Sequence, residues 1–172
     1  VDRVVTYLDN LFEDDYDLPV EWVIISPLAK GVDRIVARSI LKKDNSRLQV
    51  LMPFSLDEYR NDFSDKNDLE EFNELLLKAD PALTDNYINT QDSTSLPRTL
   101  GYLRVGKEVV DSCETLIAIW DGKTEESEGG TAEIIRYALE RGRTILRIDA
   151  ENPDTGATLL KNYLYKCYPY GS

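Results

Sequence analysis

The residues best suited to chemistry are Gly129-Gly130-Thr131-Ala132-Glu133, which follow an apolar run and open a segment of helical period. Two glycines let a backbone come close to a ligand, and the N–H groups at a helix N-terminus bind anions with help from the helix dipole. Thr131 can cap the helix or offer its hydroxyl to a phosphate oxygen, and Glu133 can accept hydrogen bonds from a ribose. The plain alternative is a glycine turn with a threonine cap and a glutamate that compensates the dipole. A second junction of this kind is Ile25-Ser26-Pro27-Leu28-Ala29-Lys30-Gly31-Val32-Asp33-Arg34. Gly31 permits a tight turn, Ser26 ends an apolar run, and Asp33 and Arg34 fall in the next helix's first turn. Its plain alternative is a solvent-side Asp33/Arg34 pair with Ser26 as cap. Tyr102 and Trp120 can stack on a base or simply be core aromatics. The run Glu125-Glu126-Ser127-Glu128 would repel a phosphate if turned inward, and otherwise reads as a solvated loop.

Absences narrow the chemistry. With no histidine in 172 residues, Ser-His-Asp and Cys-His catalysis, imidazole-ligated metals and imidazole acid-base steps are all excluded. Cys113 and Cys167 lie far apart and share no CxxC spacing, so neither a zinc site nor a disulfide framework is expected. Reduced thiols in a cytoplasmic protein are the simple reading, and no cofactor is expected. The formal charge of -12 disfavours nucleic acid, whose phosphates an acidic body repels. No apolar run approaches the ~18 residues of a membrane-spanning helix, and no secretory leader is expected. The only methionine is Met52, and the chain is expected to be part of a longer protein.

Elements of alternating type must position these residues. Val1, Val4, Val5, Leu8, Leu11 and Phe12 predict a helix, and the run 20–25 predicts a strand buried on both faces. Val32, Ile35, Val36 and Ile40 predict the buried face of a second helix, with Arg34, Arg38 and Lys42 turned outward. Residues 48–52 form another apolar run, and 55–63 hold a short helical turn. Leu69, Phe72, Leu75, Leu76 and Ala79 outline an amphipathic helix with a capping-box-like start at Asn67 and Glu70. The polar stretch 81–97 predicts a long loop. A helix over 98–111, a strand over 115–120, a helix over 131–141 with Ile135, Ala138 and Leu139 inward, and a strand over 144–148 follow. A turn cluster at 152–156 leads to a short helix carrying Tyr163 and Tyr165. This alternation predicts an α/β fold of Rossmann-like type, a doubly wound and mainly parallel sheet flanked by helices. Ligands in such folds sit beyond the carboxyl ends of the strands, here at loops 26–31, 53–57 and 121–130.

Taken together, the motifs resemble a known superfamily. Ser26 to Arg34 is similar to the "S-x-L-A-x-G-[AVI]-D" signature of the SLOG superfamily, which includes the DNA-processing protein A fold and the "lonely guy" phosphoribohydrolases. Leu51-Met52-Pro53-Phe54, Glu58-Tyr59 and Asp62-Phe63 resemble the "LPF…EY…DF" stretch of its bacterial sensor-type members. Tyr102, Gly106 and Val110-Asp111, running into 116–122, resemble "Y-x-x-x-G-x-x-x-V-D…L-[IV]-A-[VI]-W-D-G". Residues 129–133 match "G-G-T-[AG]-E". The resemblance spans 21–148 in order.

It implies a SLOG-like Rossmann nucleotide-binding domain over 1–150, with a C-terminal turn and short helix or tail over 151–172. Members begin with a strand and a glycine-bearing loop ahead of their first helix, so a strand is expected upstream of Val1; without it a gap would open between the strands at 20–25 and 115–120. The residues expected to line the ligand site are Ser26, Leu28, Ala29, Gly31, Asp33, Arg34, Pro53, Tyr102, Asp121, Gly122, Gly129, Gly130, Thr131 and Glu133. The leading expectation is a sensor that binds a nucleotide or nucleotide-derived signal and controls an effector or membrane domain; a homodimer is also allowed for. The phosphoribohydrolases carry "P-G-G-x-G-T-x-x-E". This chain lacks the preceding proline and the third glycine, and its glutamate comes two residues after the threonine instead of three. Hydrolysis of a nucleoside monophosphate, with Glu133 catalytic and Arg104 as its cationic partner, is therefore the alternative. Single-stranded DNA binding comes third.

Overall fold

The computed structural model describes residues 1–13, 21–88, 97–123 and 130–160. The chain runs α1 (Asp2–Glu13), β1 (Trp22–Ser26), α2 (Val32–Ile40), β2 (Ser46–Val50), α3 (Leu56–Arg60), α4 (Lys66–Leu76) and α5 (Pro81–Ile88). It continues with α6 (Arg98–Ser112), β3 (Thr115–Trp120), α7 (Thr131–Glu140), β4 (Thr144–Asp149), a 3-10 turn (Pro153–Thr155) and β5 (Ala157–Leu160). The class is α/β, with strands and helices alternating along most of the chain.

The strands form two sheets. β1 and β2 pair in parallel, Trp22 opposite Ser46 and Ser26 opposite Val50. β3 and β4 also pair in parallel, Thr115 opposite Thr144 and Trp120 opposite Asp149. β5 joins β4 in antiparallel register, Leu159 opposite Leu146. Among the described residues β1 and β3 are not hydrogen-bonded to each other. Helix α1 packs across both pieces: Val5 enters a core with Ile24, Leu48 and Phe72, while Val4 and Leu8 enter one with Leu146 and Ile148. The outer edge of β2 is covered by the start of α5. The N–H of Asp80 donates to Leu48 O at 2.8 Å, and the N–H of Val50 donates to Thr84 Oγ1 at 3.2 Å.

Several elements differ from the sequence expectations, each for a local reason. The buried stripe of α2 is Arg34, Ala37 and Ile40, while Ile35 is 55% exposed and Val32 also faces water. An arginine can occupy that stripe because carboxylates and a carbonyl from neighbouring elements meet its guanidinium. Helix α4 begins two residues earlier than the Asn67 start: the carboxylate of Asp65 accepts from Asn67 N–H at 2.8 Å and caps it. The polar stretch after Pro81 opens as helix α5 instead of a loop, with proline in the first turn, where its missing N–H costs no helical bond. Asp80 accepts from Ala82 N–H at 2.9 Å at the same turn. Val23 is 43% exposed, so β1 is not buried on both faces. The 152–156 turn leads into strand β5; the helix expected around Tyr163 and Tyr165 lies outside the described residues.

Candidate functional site

The carboxyl end of β1 delivers a loop held from both sides. Ser26 is buried, and its Oγ accepts from Leu28 N–H at 3.0 Å. That turn leaves Leu28 in the left-handed region at φ 56°, with its side chain fully buried. From α2, Arg34 Nε donates to Leu28 O at 3.0 Å, and Asp33 Oδ2 accepts from Ala29 N–H at 3.2 Å. Gly31 caps α2 at φ 93° in open space, a conformation that disfavours any side chain. The backbone of 26–31 is thus fixed mainly by the first turn of the following helix.

Arg34 is deeply buried. Its Nη1 donates to Asp68 O at 2.9 Å, to the Asp68 carboxylate, and to Glu71 Oε2 at 2.9 Å. Its guanidinium lies 4.7 Å from the centre of the Phe63 ring. Burial pushes the Asp68 carboxyl up, but hydrogen bonds from Arg34 and Lys30 outweigh it and hold the group below its ordinary range. Burial also pushes the Asp33 carboxyl above its ordinary range, against the opposing Ala29 N–H and the charge of Arg34.

The end of β2 contributes Pro53 and Phe54, both buried. Helix α6 lies against them. Arg104 Nη2 donates to Pro53 O at 3.0 Å, and Tyr102 meets Phe54 edge-on with centroids 5.8 Å apart. The Tyr102 hydroxyl donates to the Asp62 carboxylate, which also pairs with Arg98. Burial raises the Tyr102 phenol, and its bond to Asp62 raises it further.

The end of β3 is tied differently. Trp120 Nε1 donates to Lys123 O at 3.0 Å, and Asp121 Oδ1 accepts from Lys123 N–H at 3.0 Å. That bond, with the Lys123 ammonium, holds the Asp121 carboxyl below its ordinary range. Gly122 turns at φ 89° above the Arg147 guanidinium, which lies 5.3 Å from the Trp120 ring centre. Gly129 and the acidic run 125–128 lie outside the described residues. Gly130 caps α7 in extended backbone, φ −76° and ψ 171°. Thr131 is exposed and makes no side-chain cap, so the cap expected of it is supplied by the glycine. Glu133 Oε1 stands 3.8 Å from Lys107 Nζ on α6.

Helix α6 links the two junctions. A Cβ on Gly101 would fall 2.5 Å from the Phe54 ring, and one on Gly106 would fall 2.6 Å from Ile134 Cδ1 in α7. These glycines let α6 press against the end of β2 with one turn and against the start of α7 with the next. At 1.5 Å per residue their contacts are spaced by about 7–8 Å along the helix. The structure thus gathers Ser26, Leu28, Ala29, Asp33, Pro53, Tyr102 and Arg104 around the β1–β2 ends, and Gly130 to Glu133 beside the same helix. Arg34 stands behind the loop as its anchor.

Tyr59, Asp62 and Arg98 also belong to this region, although the sequence reading gives Tyr59 and Asp62 only as motif residues. Arg147, beneath Gly122, carries no sequence signal beyond being a charge inside an apolar strand. Among the described residues no group of three or more acidic or thiol side chains is placed to hold a metal ion. A separate apolar cavity of about 280 Å³ opens between α1 and the β4–β5 pair, lined by Val4, Tyr7, Leu146, Ile148 and Leu159, with Arg3 at its side. No helix among the described residues is long and apolar enough to cross a membrane.

No family model matches the chain, and no curated protein matches it in sequence.

Proposed function

We propose that this chain is a nucleotide-binding sensor module of the SLOG type. One observation carries the reading: two strand–loop–helix junctions, the one after β2 and the one that opens α7, lie along one helix, α6, through Gly101 on Phe54 and Gly106 on Ile134. The start of α7 offers backbone N–H groups to a phosphate, and the β1–β2 ends offer carboxylates and phenols to the rest of the ligand. Occupancy of this crevice is read by an effector or membrane domain coupled to the module. The test is thermal shift across a panel of nucleotides, with mass spectrometry of whatever nucleotide co-purifies. A ligand at a hundred times its Kd stabilises by about 2.7 kcal/mol, an easily measured rise in Tm. A panel that leaves Tm unchanged, with no nucleotide co-purifying, overturns the reading.

A hydrolase is less favoured by this geometry. Glu133 stands beside the Lys107 ammonium, and an Arg104 nitrogen is engaged by Pro53 O. The finer fold belongs to the same proposal. One further parallel strand between β1 and β3 would complete a doubly wound sheet, with α1 already packed across both flanks. Among the described residues no strand pairs with the outer edge of β1 or of β3, and the amides on those edges then exchange with solvent faster than those paired within each sheet. Equal protection of the two sets would overturn this arrangement.

A further inference from the structure

The two faces of the β4–β5 pair are covered unequally. On one face Leu160 packs with Ile145 and with Ile135 and Ala138 of α7. On the other, Leu159 stands opposite Leu146 and Ala157 opposite Ile148. Helix α1 covers Leu146 and Ile148 there with Val4 and Leu8. Ala157 and Leu159 are left exposed, as is Tyr7 on the flank of α1. The apolar cavity of about 280 Å³ lies between them.

One end of this groove is closed. Arg3 Nη1 donates to Asp154 O at 3.2 Å and ties α1 to the turn that precedes β5. The groove then follows β5 to Leu159, next to the residue where the chain leaves the strand. Residues 161–172, which lie outside the described residues, come directly after it. They hold four of the chain's ten tyrosines, at 163, 165, 168 and 170, together with Leu164. They carry two lysines and no acidic residue, in a chain of formal charge -12. Tyrosine suits a half-open groove, because its ring is apolar and its hydroxyl reaches water. The reach is sufficient. From Ala157 to Leu160 a strand runs about 10 Å at 3.4 Å per residue, and twelve residues span about 18 Å even at the helical rise.

We propose that residues 161–172 turn back at the end of β5 and dock in this groove, completing the open face of the β4–β5 pair. Tyr163, Leu164 and Tyr165 are three consecutive apolar residues beside the groove, so at least one meets it whichever way the backbone turns. Through α1, whose Val5 enters the core with Ile24 and Leu48, the docked segment is joined to both sheets. This inference does not depend on the nucleotide-binding reading.

The test compares the 172-residue chain with its variant Tyr163→Ser/Leu164→Ser/Tyr165→Ser by urea unfolding, hydrogen exchange and light scattering. The triple variant should lower the folding equilibrium constant at least tenfold and speed exchange in α1 and β5, while exchange in α2 and β2 stays unchanged. In a Tyr7→Ser/Leu159→Ser background, where the groove has lost both flanks, the same three substitutions should lower the constant less than threefold. Should the triple variant fail to fold, Tyr165→Ser alone is measured in both backgrounds, with a loss in the wild type that at least halves without the flanks. Substitutions that leave stability unchanged, or that cost as much without the flanks as with them, overturn the docking. A dimer that Tyr7→Ser dissociates gives the groove to a second copy of the chain and overturns it as well.

Discussion

Arg34 Nε donates to the carbonyl oxygen of Leu28 at 3.0 Å, joining a buried cation to the one non-glycine residue with positive φ among the described residues. A leucine in the left-handed region is strained by about 1–3 kcal/mol and persists only where its surroundings fix it. Here the Ser26 hydroxyl fixes one side of the turn and Arg34 the other. Arg34 is in turn fixed by Asp68 and Glu71 on α4, so the loop's shape is set by a helix more than thirty residues downstream.

Arg34→Met should therefore be severe. It removes a buried charge and leaves Asp68 without its closest partner, a loss of about 3–5 kcal/mol. Arg38, one turn further along α2, makes exposed pairs with Glu71 and Glu74; Arg38→Ala should lose no more than about 1 kcal/mol. Urea unfolding measures both, and losses of similar size would contradict the anchoring role of Arg34.

The two glycines of α6 should respond in opposite ways to alanine. Each substitution gains up to about 1 kcal/mol in helix propensity. At Gly101 the new methyl meets the ring of Phe54, which is buried and held by Tyr102 and Arg98; overpacking of this kind costs about 1–3 kcal/mol. At Gly106 it meets the Cδ1 end of the partly buried Ile134, an aliphatic tip that yields more readily than a buried ring. Gly101→Ala should lower Tm and Gly106→Ala should leave it level or raised, and the reverse order would place α6 wrongly.

Most of this architecture can be read from the chain because its signals are local. The strands at 115–120 and 144–149 and the helix at 131–140 have clean apolar periods between glycine or polar breaks. The loop at 26–31 is marked by Gly31 and by the end of the β1 run. What escapes is set at a distance. Arg34 reads as an outward residue until Asp68 and Glu71 are brought to it, 34 and 37 positions away. No spacing rule places the positive φ at Leu28 or leaves the Tyr59 hydroxyl unpaired, because each follows from packing between elements. Helix α5 escapes for a simpler reason: it opens on a proline, has little apolar periodicity and runs into the polar residues 89–97, and its place comes from covering the edge of β2.

Asp33 sets a pH test of its environment. Its carboxyl is raised by burial in the folded protein, so its contribution to stability is fully present below the ordinary value of 3.8 and is lost as pH rises through the raised value. Asp33→Asn stays neutral throughout and keeps an oxygen for Ala29 N–H. The variant should be more stable than the wild type at pH 7, and the difference should shrink as the pH falls to 3.5. A Tm difference that is constant across this range would remove Asp33 from a desolvated position.

Gly130→Val probes the start of α7. The backbone there is extended, so a branched residue fits without φ strain. The side chain would stand where a phosphate approaches the helix N–H groups. Nucleotide affinity should fall at least tenfold, about 1.4 kcal/mol, with the circular dichroism spectrum unchanged. Unaltered affinity in a folded variant would remove the phosphate from this helix end.

The final test separates a sensor from a phosphoribohydrolase. Breaking an N-glycosidic bond needs an acidic group at the ribose and a cation to settle the phosphate and the developing charge. Glu133 occupies a shifted register relative to the hydrolase motif and stands 3.8 Å from the Lys107 ammonium. Arg104, the cation that would complete the pair, donates to Pro53 O. The chain contains no histidine to replace either group. Chromatography of nucleoside monophosphates incubated with the protein should therefore show no free base above the protein-free control, while the same samples show a nucleotide-dependent rise in Tm. Free base released with turnover, and abolished by Glu133→Gln, would make the chain a hydrolase and overturn the sensor reading.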